Sequence, residues 1–228
     1  MVTKENSISQ FVKQQIRKWE GGVAEKNRKA KARIPVITVS MEPGSGGSIV
    51  AQEVAKRLGF DYFNREMIEG IAKSAKIRAS VIETLEKERL SGIEDFISSL
   101  VKEQYIYPGI YMQHLLKVVS TIGKHGCAVI VGRGANFILP PDERFSVRII
   151  APLEKRIQNV AKLHNVPLEK AKKRIIIRES RRRAFVRQSF NANISDPMHY
   201  DLTVNMGRIG IESAVEAIVG AAVKITYK

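Results

Sequence analysis

Val36-Ile37-Thr38-Val39-Ser40-Met41-Glu42-Pro43-Gly44-Ser45-Gly46-Gly47-Ser48 is the stretch on which the reading of this chain turns. Its first five residues are β-branched or small, as in a buried strand, and the next eight hold three glycines and a proline. Beyond them Ile49, Val50, Val54 and Leu58 fall at helical spacing. A strand running through a glycine turn into a helix makes an anion site. The glycines let backbone N–H groups converge, and the helix end adds partial positive charge. Phosphate is therefore the ligand predicted for Gly44, Ser45, Gly46, Gly47 and Ser48. Against the spacing G-x-x-x-x-G-K-[ST], Met41 to Ser48 keeps Gly46 and the hydroxyl at Ser48. Met41 stands in place of the first glycine and Gly47 in place of the lysine, which ordinarily neutralises charge on transferring phosphates.

Outward from this loop, short apolar runs alternate with helical stretches, the pattern of a parallel sheet covered by helices. The strands are predicted at Val36 to Ser40, Phe60 to Phe63, Ala128 to Val131, Ser146 to Ile150 and Leu202 to Asn205. Helices are predicted at Arg65 to Ser74, Ala79 to Glu88, Ile93 to Lys102 and Tyr111 to His125, with Ser91 and Glu94 as a capping box. Others follow Pro152 and Pro167, and the last runs from about Glu212 to Lys224. Residues 1–34 read as a basic, amphipathic helical extension, with Ile8, Phe11, Val12, Ile16 and Trp19 on one face. A charged linker ends it at Pro35. The apolar stripe suits docking on the body of the chain or a homodimer contact.

At 228 residues the chain suits one α/β core with an appendage. No apolar run reaches membrane-spanning length, and no signal peptide is evident, so a cytoplasmic protein without membrane partners is expected. Cys127, the only cysteine, reads as a buried strand thiol, and the four histidines lack metal-ligand spacing. The formal charge of +15 favours polyanionic partners. It is concentrated in residues 1–35 and in residues 170–187, where Glu179 is the only carboxylate.

In the second segment Arg178, Arg181, Arg182, Arg183 and Arg187 fall within about three helical turns. Arginine offers phosphate oxygens a planar fork, so these residues suit phosphoryl chemistry; a solvated basic face or a nucleic-acid patch is the competing reading. Arg178 and Arg182 share one helical face and Arg183 and Arg187 another, and one such pair is expected to supply the charge the loop lacks. Arg133, between Gly132 and Gly134, leaves the carboxyl edge of the sheet, where open α/β sheets bind ligands. With Arg65 it is a candidate for the acceptor's phosphate. Tyr105, Tyr107 and Tyr111 suit base stacking or a packed helix junction, and Asp201 a local cap or pairing.

Four stretches carry a family likeness: residues 35–40 with Gly44-Ser45-Gly46-Gly47, residues 62–68, residues 129–135 and residues 200–205. Together they resemble the cytidylate kinase-like family, and the likeness runs from Pro35 to near the end of the chain. The resemblance implies a P-loop NTPase-type three-layer α/β fold in residues 35–228. Its five-stranded parallel sheet has the phosphate-loop strand at the centre. A helical acceptor-binding region spans about residues 64–126 and a helical lid about residues 167–195. It implies transfer of the ATP γ-phosphoryl group to a nucleoside monophosphate such as CMP or dCMP, with Mg2+ held through the phosphates and Ser48. Arg178, Arg182, Arg183 and Arg187 would then be catalytic, and Arg65, Arg133 and Arg181 would bind the acceptor. Ser48, Asn64, Gly134 and Ser180 depart from the family pattern, three of them where it has a carboxylate. The competing functions are a non-catalytic nucleotide-binding regulator and, less favoured, a nucleic-acid-binding protein.

Overall fold

The computed structural model describes residues 4–20, 36–73, 81 and 109–225. Strands β1 (Val36–Met41), β2 (Asp61–Phe63), β3 (Ala128–Val131), β4 (Arg144–Ile150) and β5 (Leu202–Asn205) form one sheet in the order β2-β3-β1-β4-β5. All neighbours are parallel, so the strand feeding the glycine loop is central, as expected. β4 begins two residues earlier than predicted, because Arg144 and Phe145 extend the register opposite Val36 and Ile37.

Helices α1 (Lys4–Glu20), α2 (Gly47–Leu58), α3 (Arg65–Lys73), α4 (Ile110–His125), α5 (Ala135–Ile138), α6 (Leu153–His164), α7 (Leu168–Phe190) and α8 (Ile211–Lys224) complete the described residues. Both sheet faces are covered, which explains why the strands read as continuous apolar runs. Ile37, Val39, Val147 and Ile149 pack with α2 and α8 on one side. Val36, Phe63 and Ile130 pack with α1, α3, α4 and the end of α7 on the other. Pro152 and Pro167 are the residues preceding α6 and α7, one position before the first helical site expected for them. The predicted helices Ala79 to Glu88 and Ile93 to Lys102, the capping box, the linker up to Pro35, Tyr105 and Tyr107 lie outside the described residues, apart from Val81. Cys127 is only half-buried. It stands just before β3 with φ +48, in the turn and not in the strand.

The extension docks on its own chain. Val12 is buried, Phe11 meets Phe63 edge to face at 5.6 Å, and Ile8 packs against Gly70 of α3, whose missing side chain makes room for it. Gln15 Nε2 and Lys18 Nζ both donate to the Asp61 carboxylate. Deleting residues 1–34 uncovers this apolar seam and is expected to lower stability by roughly 3 kcal/mol, the scale of two buried apolar side chains. Thermal melting reads that loss. Unaltered ATP affinity is the companion result, and a truncated protein that melts like the full chain would show the seam to be idle.

Candidate functional site

The chain leaves β1 at Met41 and turns through Gly44 and Gly46, both left-handed at φ +82 and +85, before α2 opens at Gly47. The turn is stabilised from within. Ser45 N–H donates to Glu42 O at 3.2 Å, and Gly47 N–H donates to Ser45 Oγ at 3.3 Å. Among the described residues the N–H groups of Gly44, Gly46 and Ser48 meet no protein acceptor, at the start of a 12-residue helix. Such an arrangement suits an anion. Ser48 is exposed on the first turn of α2.

The loop also packs against α6. Asn159 Nδ2 donates to Gly44 O at 2.8 Å, and a Cβ at Gly44 would stand 2.6 Å from Arg156 O. Gly47 is equally constrained, since a Cβ there would lie 2.7 Å from Met41 Cβ. Met41 therefore occupies the space that a side chain at position 47 needs, and the two departures from the lysine-bearing pattern are coupled. Gly47→Lys by itself is expected to cost about 1–3 kcal/mol through overpacking. Adding Met41→Gly should return part of that loss. Urea denaturation of both single variants and the double variant measures the coupling, and strictly additive effects would show the positions to be independent.

Where β3 ends, Gly132, Arg133 and Gly134 are all left-handed, at φ +78, +56 and +68. For an arginine that conformation costs roughly 1–2 kcal/mol. It is held by what surrounds it. A side chain at Gly134 would run into the Phe190 ring, so the carboxylate that the family pattern places there has no room. The Arg133 guanidinium pairs with Glu69 and lies 5.2 Å from the Phe185 ring, while its buried Nε has no partner among the described residues. Glu69 also takes Arg65 Nε at 2.8 Å, one helical turn away on α3.

Arg65 and Arg133 face Arg178, Arg181 and Arg182 of α7 across a cavity of about 450 Å³ at the carboxyl edge of β1 and β3. Ser40 and Met41 line it, with Phe137 and Phe185 among its apolar walls. All three residues predicted to bind the acceptor are therefore brought together, and of the two arginine pairs on α7 this cavity takes Arg178 and Arg182. Arg183 lies on another face, 3.6 Å from Glu179, and lines the adjoining cavity described below. Arg187 is exposed and lines neither cavity. The helix is long enough that its arginines point around the whole axis, and docking against the sheet selects one face.

Five guanidinium groups line this space, two of them paired with Glu69, and burial sharpens their repulsion. Arg182 donates to Met41 O and is pushed down to about 10, first by burial and then by Arg65, Arg148 and Arg178. Arg133 is likewise pushed down to about 10 by burial, then by Arg65 and Arg182. A bound dianion would relieve both.

A smaller cavity of about 250 Å³ adjoins it, sharing Met41, Arg182 and Ile194. Here Arg156 ties the loop to the helices. Its Nε lies 3.3 Å from Glu42 Oε2 and donates to Ala151 O at 2.9 Å; its Nη1 meets Glu179 Oε1 at 2.5 Å. Glu42, Glu69, Arg148 and Arg156 were not among the residues singled out from sequence. For Arg148 a signal existed, a charged residue inside the apolar strand run Phe145 to Ile150. Asn136 on α5, only 5% exposed, also lines the larger cavity, and its Nδ2 lacks a partner among the described residues. Tyr111 is half-buried, and Asp201 Oδ2 accepts the Ser146 N–H at 2.6 Å, a bond to the neighbouring strand β4 and not the local cap or pairing expected of it. Among the described residues no group of His, Cys, Asp and Glu is placed to hold a metal, and no helix is long and apolar enough to cross a membrane.

A central β1, a glycine loop opening α2 and an arginine-lined cavity beneath a long basic helix define a P-loop kinase fold. The cytidylate kinase-like family model matches residues 36–208, and the chain belongs to that family. It is 31% identical over 183 residues to a cytidylate kinase from Desulfurococcus amylolyticus, covering 80% of this chain and 89% of that protein. It is 25% identical to a cytidylate kinase from Ignicoccus hospitalis, covering 80% and 96%. The crystal structure of an uncharacterized protein from Eubacterium ventriosum shares the fold with a TM-score of 0.60 at 18% identity, covering 84% of this chain and 99% of that one. The matched region begins at β1, so α1 lies outside it.

Proposed function

We propose that the chain is a cytoplasmic phosphotransferase that moves the γ-phosphoryl group of ATP to a nucleoside monophosphate such as CMP or dCMP. The observation that carries this reading is the arginine-lined cavity at the sheet edge beside the phosphate loop. ATP would be held at Gly44, Ser45, Gly46, Gly47 and Ser48, where three free N–H groups and a helix end fit its phosphates. Mg2+ fits as an ion carried by those phosphates with Ser48 Oγ as its protein ligand, and it would screen charge on them. Arg133 and Arg65 would fix the acceptor's phosphate, with Arg181 closing on it from α7. An acceptor oxygen then forms the new bond to the γ-phosphorus. The bond to the bridging oxygen breaks, and its electron pair leaves with ADP. Arg178 and Arg182 would meet the charge that spreads over the transferring oxygens, which is the main demand of this reaction.

An ADP-release assay with CMP, dCMP, UMP, AMP and GMP tests the proposal. ATP consumption that depends on a pyrimidine monophosphate is the expected result. ATP binding without turnover for any acceptor would select a regulatory nucleotide-binding protein instead. Salt-dependent polynucleotide binding without ATP would select the nucleic-acid reading.

A further inference from the structure

Arg148 is a buried cation that the roles above leave unused. It sits on β4 in register with Ser40, the residue that precedes the loop, so the strand pair fixes its position. It is 7% exposed, and among the described residues it has no carboxylate in ion-pair range. Its Nη1 donates to the neutral Ser40 Oγ at 2.7 Å, and the Tyr200 ring covers it at 5.8 Å. The Tyr200 hydroxyl donates to Ile194 O at 2.8 Å and lies 3.3 Å from the same Ser40 oxygen, so the cover is itself anchored. Burying a guanidinium without a counterion is expensive, and a packed apolar side chain would serve a purely structural purpose at less cost.

The smaller cavity shows what Arg148 faces. Cations Arg148, Arg156, Arg182 and Arg183 line it with carboxylates Glu42 and Glu179, an excess of two positive charges. Both carboxylates are bonded to Arg156, so among the described residues Arg148 and Arg182 have no carboxylate in ion-pair range beside the first turn of the loop. A phosphoryl group carries roughly −1.5 to −2 at neutral pH and would balance that excess.

We infer that Arg148 is the fixed cation standing in for the absent loop lysine, reaching the γ-phosphoryl group of a bound nucleoside triphosphate from β4. It differs from the α7 arginines in kind. They arrive on a helix, whereas Arg148 is held in advance by the sheet, Ser40 and Tyr200, and a preorganised charge costs no rearrangement during reaction. The consequence for turnover rests on the phosphotransferase reading. The consequence for nucleotide binding does not.

The test compares Mg·ATP and Mg·ADP binding by calorimetry in the full chain and in Arg148→Met and Arg148→Lys. Arg148→Met should lower the preference for ATP over ADP about tenfold, one charge-assisted hydrogen bond's worth, with ADP affinity within about twofold. Arg148→Lys should keep most of the preference. Without ligand, Arg148→Met should melt at or above the temperature of the natural protein, since it removes an unpaired buried charge. An unchanged ATP/ADP ratio in Arg148→Met, or equal weakening of both nucleotides, overturns the inference. If Arg148→Met does not fold, Arg148→Lys decides: losing the ATP preference while keeping ADP affinity counts against charge as the cause, and keeping it supports the inference. Should the natural protein turn over no acceptor while the ratio collapses in Arg148→Met, the acceptor reading fails and the role of Arg148 stands.

Discussion

Replacing Arg178 and Arg182 together by glutamine is expected to lower turnover by at least about a hundredfold while leaving ATP affinity within a few-fold, the pattern of an interaction made mainly in the transition state. The expectation follows from where the loop is deficient. Gly47 carries no cation, and Met41 leaves no room for one. Arg182 lines both cavities and bonds to Met41 O, at the junction of the loop and the acceptor space. Arg178 lies one helical turn away on the same face and adds to the field that depresses Arg182. Arg187→Gln is the internal control. Arg187 is exposed and lines neither cavity, so this variant should keep its rate within about threefold, as surface charges usually do. Steady-state kinetics at saturating ATP separates the two variants. Equal losses from both would mean that general positive charge matters and the facing geometry does not.

The second large effect is expected at Arg133. Arg133→Met should lower kcat/KM for the acceptor by about two orders of magnitude, the scale for losing one side of a desolvated charge pair, with little change in ATP affinity. Arg133 is 13% exposed, pinned by Glu69 and Phe185, and fixed in a left-handed turn that flexible flanking glycines permit. Its pH behaviour supplies an independent reading. Arg133 and Arg182 are both held near 10, below the ordinary 12.5, so folding disfavours their charged forms. That cost is fully present below about pH 10 and fades as pH rises towards the unfolded value. A dianionic acceptor reverses the sign by pairing with the charged forms. CMP should therefore raise the melting temperature at pH 7 to 8, and the increment should shrink above about pH 10. Arg133→Met should lose most of the increment at pH 7.5. A CMP-dependent rise that persists undiminished in Arg133→Met would move the acceptor's anchor elsewhere.

The residues themselves show why some of this was legible in the sequence. Val36 to Val39 and Ala128 to Val131 are buried on both faces, so each reads as an apolar run, interrupted only by the buried Thr38. Gly44 and Gly46 announce a loop because their left-handed conformation favours glycine. α5 went unseen because four residues hold too little periodicity to signal a helix. The pairing of Glu42 with Arg156 and of Glu69 with Arg133 left no local trace, since each joins side chains from elements distant along the chain.

The sequence by itself determined the order of the described elements and the set of arginines available for phosphate, which depend on local composition, turn chemistry and short spacing written along the chain. The central place of the loop strand was implied by the family resemblance and is seen in the sheet order. Only the tertiary structure decided which arginines face the cavity, that Met41 excludes a side chain at Gly47, that Phe190 excludes one at Gly134, and that Arg148 is buried with no carboxylate of the described residues in ion-pair range. Each depends on the rotation and docking of one element against another. A helix carries its residues about 100° apart, so the face it presents is chosen by packing that no local stretch encodes.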